Sequence, residues 1–420
     1  MDLIIIEGGK KLNGTIDISG SKNASLPMMI ASLLTKQTVE LNNVPNLSDV
    51  ETLKHLLRIL GSEIVHNNRL IKIKTEKIIH PLAPYDLVRK MRASFWVLAP
   101  LIARFGSAEV SLPGGCAIGI RPINMYLKIM EKMNISYAVE NGYVKAKSKE
   151  GLRGSKITLD FQSVGCTHFF LMLAVLAKGD SSLENSACEP EVVALGRMLQ
   201  KMGAKIEGIG TKKINITGVE SLSGLSIQVP SDRIEAGTYA IALAMTGGQL
   251  KLNNINATEI DILIRALEST GVKTYSSYNS ISLERKNSPI LSTNIETAPY
   301  PGFPTDLQAQ FMALMTLSNG VSRIKENIFE NRFMHVQELA RFGANIELEG
   351  DLAIVKGVKC LIAAPVMATD LRASASLIIA ALAAKGTTSI RRIYHLDRGF
   401  EELEKKLNGC GADIKRIRDA

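Results

Sequence analysis

Two hydrophobic periods alternate along this chain, and the alternation recurs six times. Near the start, Leu26, Met29, Ile30 and Leu33 are spaced by three and four, the period of a helix that buries a face. A short strand, Thr38-Val39-Glu40-Leu41, follows, and then a second helix from Asp49 to Leu60. Asp49 near its start and Gly61 just past its end are the expected boundary chemistry. Two more strands, Ser62 to His66 and Leu70 to Lys74, complete the unit.

The stop at Gly61 marks the repeat. It reads Leu60-Gly61-Ser62-Glu63-Ile64, then Met133-Asn134-Ile135, Met202-Gly203-Ala204-Lys205-Ile206, Thr270-Gly271-Val272, Phe342-Gly343-Ala344-Asn345-Ile346 and Cys410-Gly411-Ala412-Asp413-Ile414. Successive stops are 73, 69, 68, 72 and 68 residues apart, so six units of roughly 70 residues account for all 420. Strands alternating with helices predict α/β units with right-handed crossovers, most simply as two domains of three units each.

The first helix of each unit opens on Ser21-Lys22-Asn23, Met91-Arg92-Ala93-Ser94, Ser163-Val164-Gly165, Ser231-Asp232-Arg233, Thr305-Asp306 or Thr369-Asp370-Leu371-Arg372. Helix starts carry free N–H groups and partial positive charge, which suits anions, and Lys22, Arg92 and Arg372 would add to it if symmetry brought these ends to one cleft. Asp232, Asp306 and Asp370 can equally be ordinary caps, and a cation near a helix start can simply be solvated.

Composition narrows the class. Hydrophobic residues at 46% and charged residues at 22% describe a chain that folds around sizeable cores. The longest apolar runs, Phe95 to Ala103 and Phe169 to Ala177, are too short to span a bilayer, and the acidic start Met1-Asp2-Leu3-Ile4-Ile5-Ile6-Glu7 reads as a first strand rather than a secretory leader. Five cysteines without a C-x-x-C spacing argue against disulfides and a zinc site and fit a reducing cytoplasm. The +9 charge, 50 Lys and Arg against 41 Asp and Glu, points to anionic partners. Aromatics at 5% and dispersed cations favour small multiply charged ligands over nucleic acid.

One loop carries the chemistry. Leu112-Pro113-Gly114-Gly115-Cys116-Ala117-Ile118-Gly119-Ile120-Arg121-Pro122 places a thiol on a surface loop five residues from a guanidinium, where it can act as acid, base or nucleophile. The other cysteines, Cys166, Cys188, Cys360 and Cys410, lie in or beside apolar segments and read as small hydrophobes.

These phrases carry a resemblance. Gly20-Ser21-Lys22-Asn23-Ala24, the Pro113-Gly114-Gly115-Cys116 to Pro122 loop, Ser163-Val164-Gly165, Pro301-Gly302-Phe303-Pro304-Thr305-Asp306, Glu330-Asn331-Arg332-Phe333, Thr369-Asp370-Leu371-Arg372 and His395-Leu396-Asp397-Arg398-Gly399 resemble, in order, the UDP-N-acetylglucosamine branch of the enolpyruvyl transferases. The resemblance implies an inside-out α/β barrel: one domain of residues 22–230 carrying the cysteine loop 112–122, and a second of residues 1–21 with 231–420. It implies two substrates, phosphoenolpyruvate and UDP-N-acetylglucosamine, in a cleft between the domains, no organic cofactor and no metal. The reaction would open peptidoglycan precursor synthesis in the cytoplasm, and the family is the target of fosfomycin.

Residue by residue, the resemblance implies that Cys116 is the general acid and Asp306 the base at the sugar hydroxyl, with Lys22 and Arg398 catalytic. Lys22, Asn23, Arg92, Arg121, Arg332, Arg372 and Arg398 would meet the charges of phosphoenolpyruvate, with Asp370 beside them. The nucleotide sugar would lie along Arg121, Pro122, Ile123, Asn124 and Met125 and along Phe161, Gln162, Ser163 and Val164, with Asp306 and Ile328 at the sugar. The chain departs from the family at Asn124-Met125-Tyr126, where Asp, Leu or Gln, and His are frequent. It also departs at Phe161-Gln162, where Lys or Pro is common, and at Cys166 and His168. His168 reads otherwise as a helix-packing or surface histidine. Two other readings stand beside this one: a 3-phosphoshikimate enolpyruvyl transferase, which would lack the cysteine loop, and a nucleic-acid-processing repeat protein such as an RNA 3'-terminal phosphate cyclase, which would carry a catalytic histidine motif near its C-terminus.

Overall fold

A computed structural model describes residues 2–78, 80–114 and 123–418. The described residues divide into two compact units, one of residues 20–78, 80–114 and 123–230, the other of residues 2–19 and 231–418. Cys116, Arg121 and Pro122 lie outside the described residues.

Each unit contains three four-stranded sheets built to one plan. In the sheet of strands Lys156–Thr158, Asp180–Glu184, Lys205–Glu207 and Lys213–Thr217, the first strand runs parallel to the second. The last strand lies antiparallel between the second and the third. The helix Val164–Ala174 makes the crossover between the parallel pair, and Pro190–Lys201 leads to the closing hairpin. The edge strand ahead of the crossover helix is an element that hydrophobic period alone does not disclose, because it has only two to six residues in each repeat.

Two exchanges knit the repeats. Leu12–Asp17 pairs in parallel with Gly248–Asn253, and Leu225–Gln228 with Val39–Asn42, so each unit's first sheet takes its leading strand from a distant part of the chain. The sixth repeat differs from the expected plan. Only one strand, Asp413–Arg418, follows its second helix, and the central place beside it is filled by Asp2–Glu7. The chain is thus cut within a repeat, and its first strand completes its last sheet.

Sheets and helices divide the solvent between them. Along the central strands alternate residues turn inward: Ile71 and Ile73, Ile214 and Ile216, Leu250 and Leu252, and Ala353 and Val355 are buried. The crossover helices are buried nearly all round; in Arg233–Thr246 every residue but Thr246 is buried. In the unit of residues 2–19 and 231–418 three of them, Arg233–Thr246, Gln308–Met315 and Leu371–Ala383, pack on one another and against the strands of the unit's three sheets. The second helices are amphipathic: Ser48–Leu60 buries Val50, Leu53, Leu56, Leu57 and Leu60 and exposes Glu51, His55 and Arg58. Helices inside and sheets outside make the inside-out α/β arrangement.

The helix stops obey one rule. Gly61, Gly203, Gly271, Gly343 and Gly411 all have φ between 86° and 108°, a left-handed backbone that only glycine adopts freely. Asn134 takes the same place at φ 64°, as the side chain best able to substitute.

Candidate active site

In the unit of residues 231–418, three sequence-predicted residues form one cluster. Asp306 Oδ1 accepts from Arg332 Nη2 at 2.8 Å and its Oδ2 from Arg372 Nη2 at 2.7 Å. Both guanidinium side chains are nearly buried, 4% and 5% exposed, while the Asp306 side chain keeps 28%. Arg332 Nη2 also reaches Thr305 O at 3.4 Å, and Arg332 Nε is buried without a hydrogen-bond partner among the described residues. The Asp306 backbone is pinned in turn, its carbonyl accepting from Gln310 Nε2 at 2.9 Å.

Of the three candidate caps, two cap and one does not. Asp232 accepts from Ile234 N and Glu235 N, and Asp370 from Arg372 N and Ala373 N. Asp306 instead sits in a 3-10 turn, Thr305–Leu307, that opens without a side-chain cap, so its carboxylate is available to the arginines. Asp370 serves the cluster indirectly, by fixing the first turn that presents Arg372.

Ile328 is placed by a residue that sequence reading passed over. Glu326, 3% exposed, accepts from Ile328 N at 2.9 Å and Phe329 N at 3.2 Å, and from the hydroxyls of Thr297 and Thr305 at 3.0 and 2.9 Å. One buried carboxylate therefore shapes both the 326–329 loop and the turn before Asp306. Nothing in the local sequence distinguishes it from a surface glutamate.

Arg398 ends the 3-10 helix Ile393–Arg398 and is half-buried. Its neighbour Asp397 is locked by Arg416 in a two-pronged ion pair of 2.8 and 2.6 Å. Phe400, two residues on, lies beneath the Arg372 guanidinium with 5.8 Å to the ring centre. Burial, reinforced by Arg398, pushes the nearby His395 below the usual histidine range. His335, fully buried, is lowered to about 4, chiefly by burial and opposed by Asp370.

In the other unit, Lys22 opens the helix Lys22–Ala31 behind the cap Ser21, and its ammonium meets Asp49 Oδ2 at 3.2 Å. Asp49, read from sequence only as helix-boundary chemistry, is 4% exposed and reaches across from the second helix to orient that lysine. Asn23 follows Lys22 on the same first turn.

The expected nucleotide residues gather around the start of the helix Val164–Ala174. Ser163 caps it, accepting from Cys166 N at 3.3 Å. Ile123, Asn124 and Met125 begin the helix Asn124–Lys132, which is tied to the segment before Phe161 by Lys128 and Asp160 at 2.7 Å. Gly165 packs so tightly on Tyr126 that a β-carbon would stand 2.3 Å from the phenol oxygen, and Trp96 Nε1 donates to that same oxygen at 3.2 Å. Gln162 is anchored to Ser186 O at 3.0 Å, while Phe161 is 58% exposed. Arg92, at the head of the 3-10 helix Arg92–Val97, lies near enough to favour the thiolate of Cys166, but burial dominates and pushes that thiol up to about 11.

The remaining cysteines divide. Cys166 and Cys410 are buried, as small hydrophobes should be, but Cys188 and Cys360 are only partly covered, which corrects that reading for these two. His168 is fully buried, edge-on to Trp96 at 5.2 Å between ring centres, and burial lowers it to about 4. It is a packing residue. No described helix is long and apolar enough to cross a membrane.

Comparison with known proteins places the chain in a family. The EPSP synthase (3-phosphoshikimate 1-carboxyvinyltransferase) family matches residues 6–407. The enolpyruvyl transferase NikO from Streptomyces tendae superposes with a TM-score of 0.88 at 23% identity, covering 99% of this chain and 98% of that one. EPSP synthase from Acinetobacter baumannii superposes at 0.77 with 19% identity over both whole chains. These two likenesses speak for the fold. Sequence kinship is nearer to UDP-N-acetylglucosamine 1-carboxyvinyltransferase of Methylorubrum extorquens, 55% identical over the whole of both chains. The namesake of Beijerinckia indica is 55% identical over 99% of each. The chain belongs to the enolpyruvyl (carboxyvinyl) transferase family, and within it to the UDP-N-acetylglucosamine 1-carboxyvinyltransferases.

Proposed function

We propose that this enzyme moves the enolpyruvyl group of phosphoenolpyruvate to the 3-hydroxyl of UDP-N-acetylglucosamine and releases phosphate. The observation that carries the proposal is 55% identity over full length to proteins of that name, against 19% to an EPSP synthase. The unusual cysteine loop, Pro113 to Pro122, supports the same branch.

The chemistry is an addition followed by an elimination. A proton reaches the methylene carbon C3 of phosphoenolpyruvate, C2 becomes electrophilic, and the sugar oxygen bonds to C2 as its own proton leaves. Loss of a proton from C3 and departure of phosphate from C2 then restore the double bond. Cys116 supplies the first proton, and Asp306 takes the proton of the sugar hydroxyl. Arg332 and Arg372 each bond one Asp306 oxygen, so the two guanidiniums fix the plane of the carboxylate.

The substrate's anionic groups need fixed cations as the charge redistributes. Lys22, Arg92, Arg121 and Arg398 serve phosphoenolpyruvate with Asn23, and Arg332 and Arg372 combine that role with holding Asp306. Arg332 Nε, without a partner among the described residues, supports this reading, since a buried donor without an acceptor is costly unless a ligand supplies one. Residues 121–125 and 161–164 take the nucleotide, and Ile328 the sugar. Cysteine usage supports a cytoplasmic place for the reaction.

The test measures phosphate release from phosphoenolpyruvate with UDP-N-acetylglucosamine or shikimate 3-phosphate as sole acceptor. Release is expected with the first alone; release only with shikimate 3-phosphate would move the chain to the other branch.

A further inference from the structure

A buried polar network lies in the unit that carries Asp306 and Arg398, made of residues with no part in the scheme above. Glu235, 2% exposed in the first turn of Arg233–Thr246, accepts at Oε2 from Ser19 N at 2.7 Å. Its Oε1 accepts from Lys406 Nζ at 2.6 Å and from the Tyr239 hydroxyl at 3.2 Å. Lys406 Nζ also donates to Ser19 Oγ at 2.6 Å, and Ser19 Oγ donates to Glu401 Oε2 at 2.7 Å. An ammonium only donates and a carboxylate only accepts, so the serine hydroxyl between them has a single orientation. It is a fixed relay that ties Glu401 to the start of a buried helix.

Glu401 terminates the short run that begins at Arg398. The rest of that run is tightly held. Gly399 N and Phe400 N both donate to Leu396 O at 3.0 Å. A β-carbon on Gly399 would stand 2.7 Å from Leu371 Cδ2, so the run lies directly on the residue preceding Arg372. Phe400 covers the Arg372 guanidinium. Glu402 then turns left-handed at φ 50°, a conformation unfavourable to a residue with a β-carbon and one that its surroundings must impose. Glu401 is the residue whose side chain connects this turn to the interior.

We propose that Glu401 is a positioning residue: through Ser19 and Lys406 it fixes the run 398–401, and so sets both the Arg398 guanidinium that meets phosphoenolpyruvate and the Phe400 ring under Arg372. The inference rests on the reading of Arg398 given above. A purely structural glutamate would alter stability and leave the kinetics of the folded enzyme alone. A positioning one alters the phosphoenolpyruvate parameters selectively.

The experiment is steady-state kinetics of the full chain, with each substrate varied at saturation of the other. Glu401→Ala is expected to raise KM for phosphoenolpyruvate, or lower kcat, about tenfold, with KM for UDP-N-acetylglucosamine within twofold of wild type. Glu401→Gln, which can still accept from Ser19 Oγ, should recover most of the loss. On an Arg398→Lys background Glu401→Ala should cost less than threefold more. Should Glu401→Ala not fold, Ser19→Ala breaks the same link without removing a charge, and the same tenfold effect is required of it. Wild-type kinetics in the folded variant, or an unchanged loss on the Arg398→Lys background, would overturn the proposal alone. An Arg398→Lys enzyme with normal phosphoenolpyruvate kinetics would overturn the reading of Arg398 and this proposal together.

Discussion

Arg372 and Asp306 are 66 positions apart in sequence, yet Arg372 Nη2 donates to Asp306 Oδ2 at 2.7 Å. The bond joins the starts of the buried helices of the fifth and sixth repeats, with Arg332 on the other carboxylate oxygen. Replacing Asp306 with Ala leaves two nearly buried guanidiniums facing each other. We expect a loss of about 2 kcal/mol of stability, moderated by the partial exposure of the site. Asp306→Asn keeps the shape but points an amide nitrogen at one arginine and cannot take the sugar proton. Its turnover should fall by at least about a hundredfold. Urea unfolding and steady-state rates measured on the same preparations check both, and Asp306→Asn with near-normal turnover would remove the base role.

The Lys22 and Asp49 pair gives a second prediction. Asp49 is almost wholly buried and its carboxylate fixes an ammonium on a flexible four-carbon stem. Asp49→Asn should lower kcat/KM for phosphoenolpyruvate by roughly tenfold to a hundredfold, because Lys22 keeps its charge and loses its direction. Lys22→Arg should not restore activity, since the planar fork cannot occupy the same place. Isothermal titration with phosphoenolpyruvate separates this from a folding defect: a variant that binds normally rejects the orienting role.

What could be read in the sequence, and what could not, has physical reasons. The repeat was legible because a left-handed helix stop admits few residues, so Gly or Asn recurs wherever the backbone requires it. The central strand of the sixth sheet was not, because Asp2–Glu7 stands about 380 residues from the strand beside it, and hydrophobic period carries no information on pairing partners. Lys22, Asp306, Arg332 and Arg372 were legible through the phrases around them. Glu326, Glu235 and Glu401 were not, because a glutamate that will be buried looks like any other until its partners are known. Asp306 illustrates the limit: Asp232 and Asp370 stand at equivalent helix starts and cap them, and only the placement of two distant arginines makes the third different.

The two fully buried histidines predict acid sensitivity. His168 and His335 are both lowered to about 4, mainly by burial, against about 6.5 in an unfolded chain. Between those values the unfolded chain binds more protons than the folded one, so stability is complete above about pH 6.5 and is lost as pH falls toward 4. Each should cost about 2 kcal/mol between pH 7 and 4.5. His168→Phe keeps the aromatic packing on Trp96 and cannot protonate. Denaturant midpoints at pH 7 and 4.5 should therefore differ less in the variant than in wild type, by about that amount. An identical pH dependence would show that His168 does not contribute.

The cysteines give the last prediction, since covalent labelling separates their environments. Burial pushes Cys166 up to about 11 and also raises Cys410 and Cys188, so little thiolate is available at these three near neutral pH. We expect Arg121, five residues on from Cys116 in the sequence, to favour the thiolate there. The epoxide fosfomycin should therefore add one equivalent of mass at Cys116, and faster once UDP-N-acetylglucosamine is bound. Cys116→Asp retains a group able to donate a proton while losing the soft nucleophile. It should keep turnover with a lower pH optimum and resist the epoxide. Cys116→Ser has a hydroxyl too weakly acidic to protonate a carbon and should lose most activity. Peptide mapping after inactivation decides the matter. An adduct on Cys166, Cys188, Cys360 or Cys410, or an Asp variant that remained sensitive, would take the proton-donor role away from Cys116.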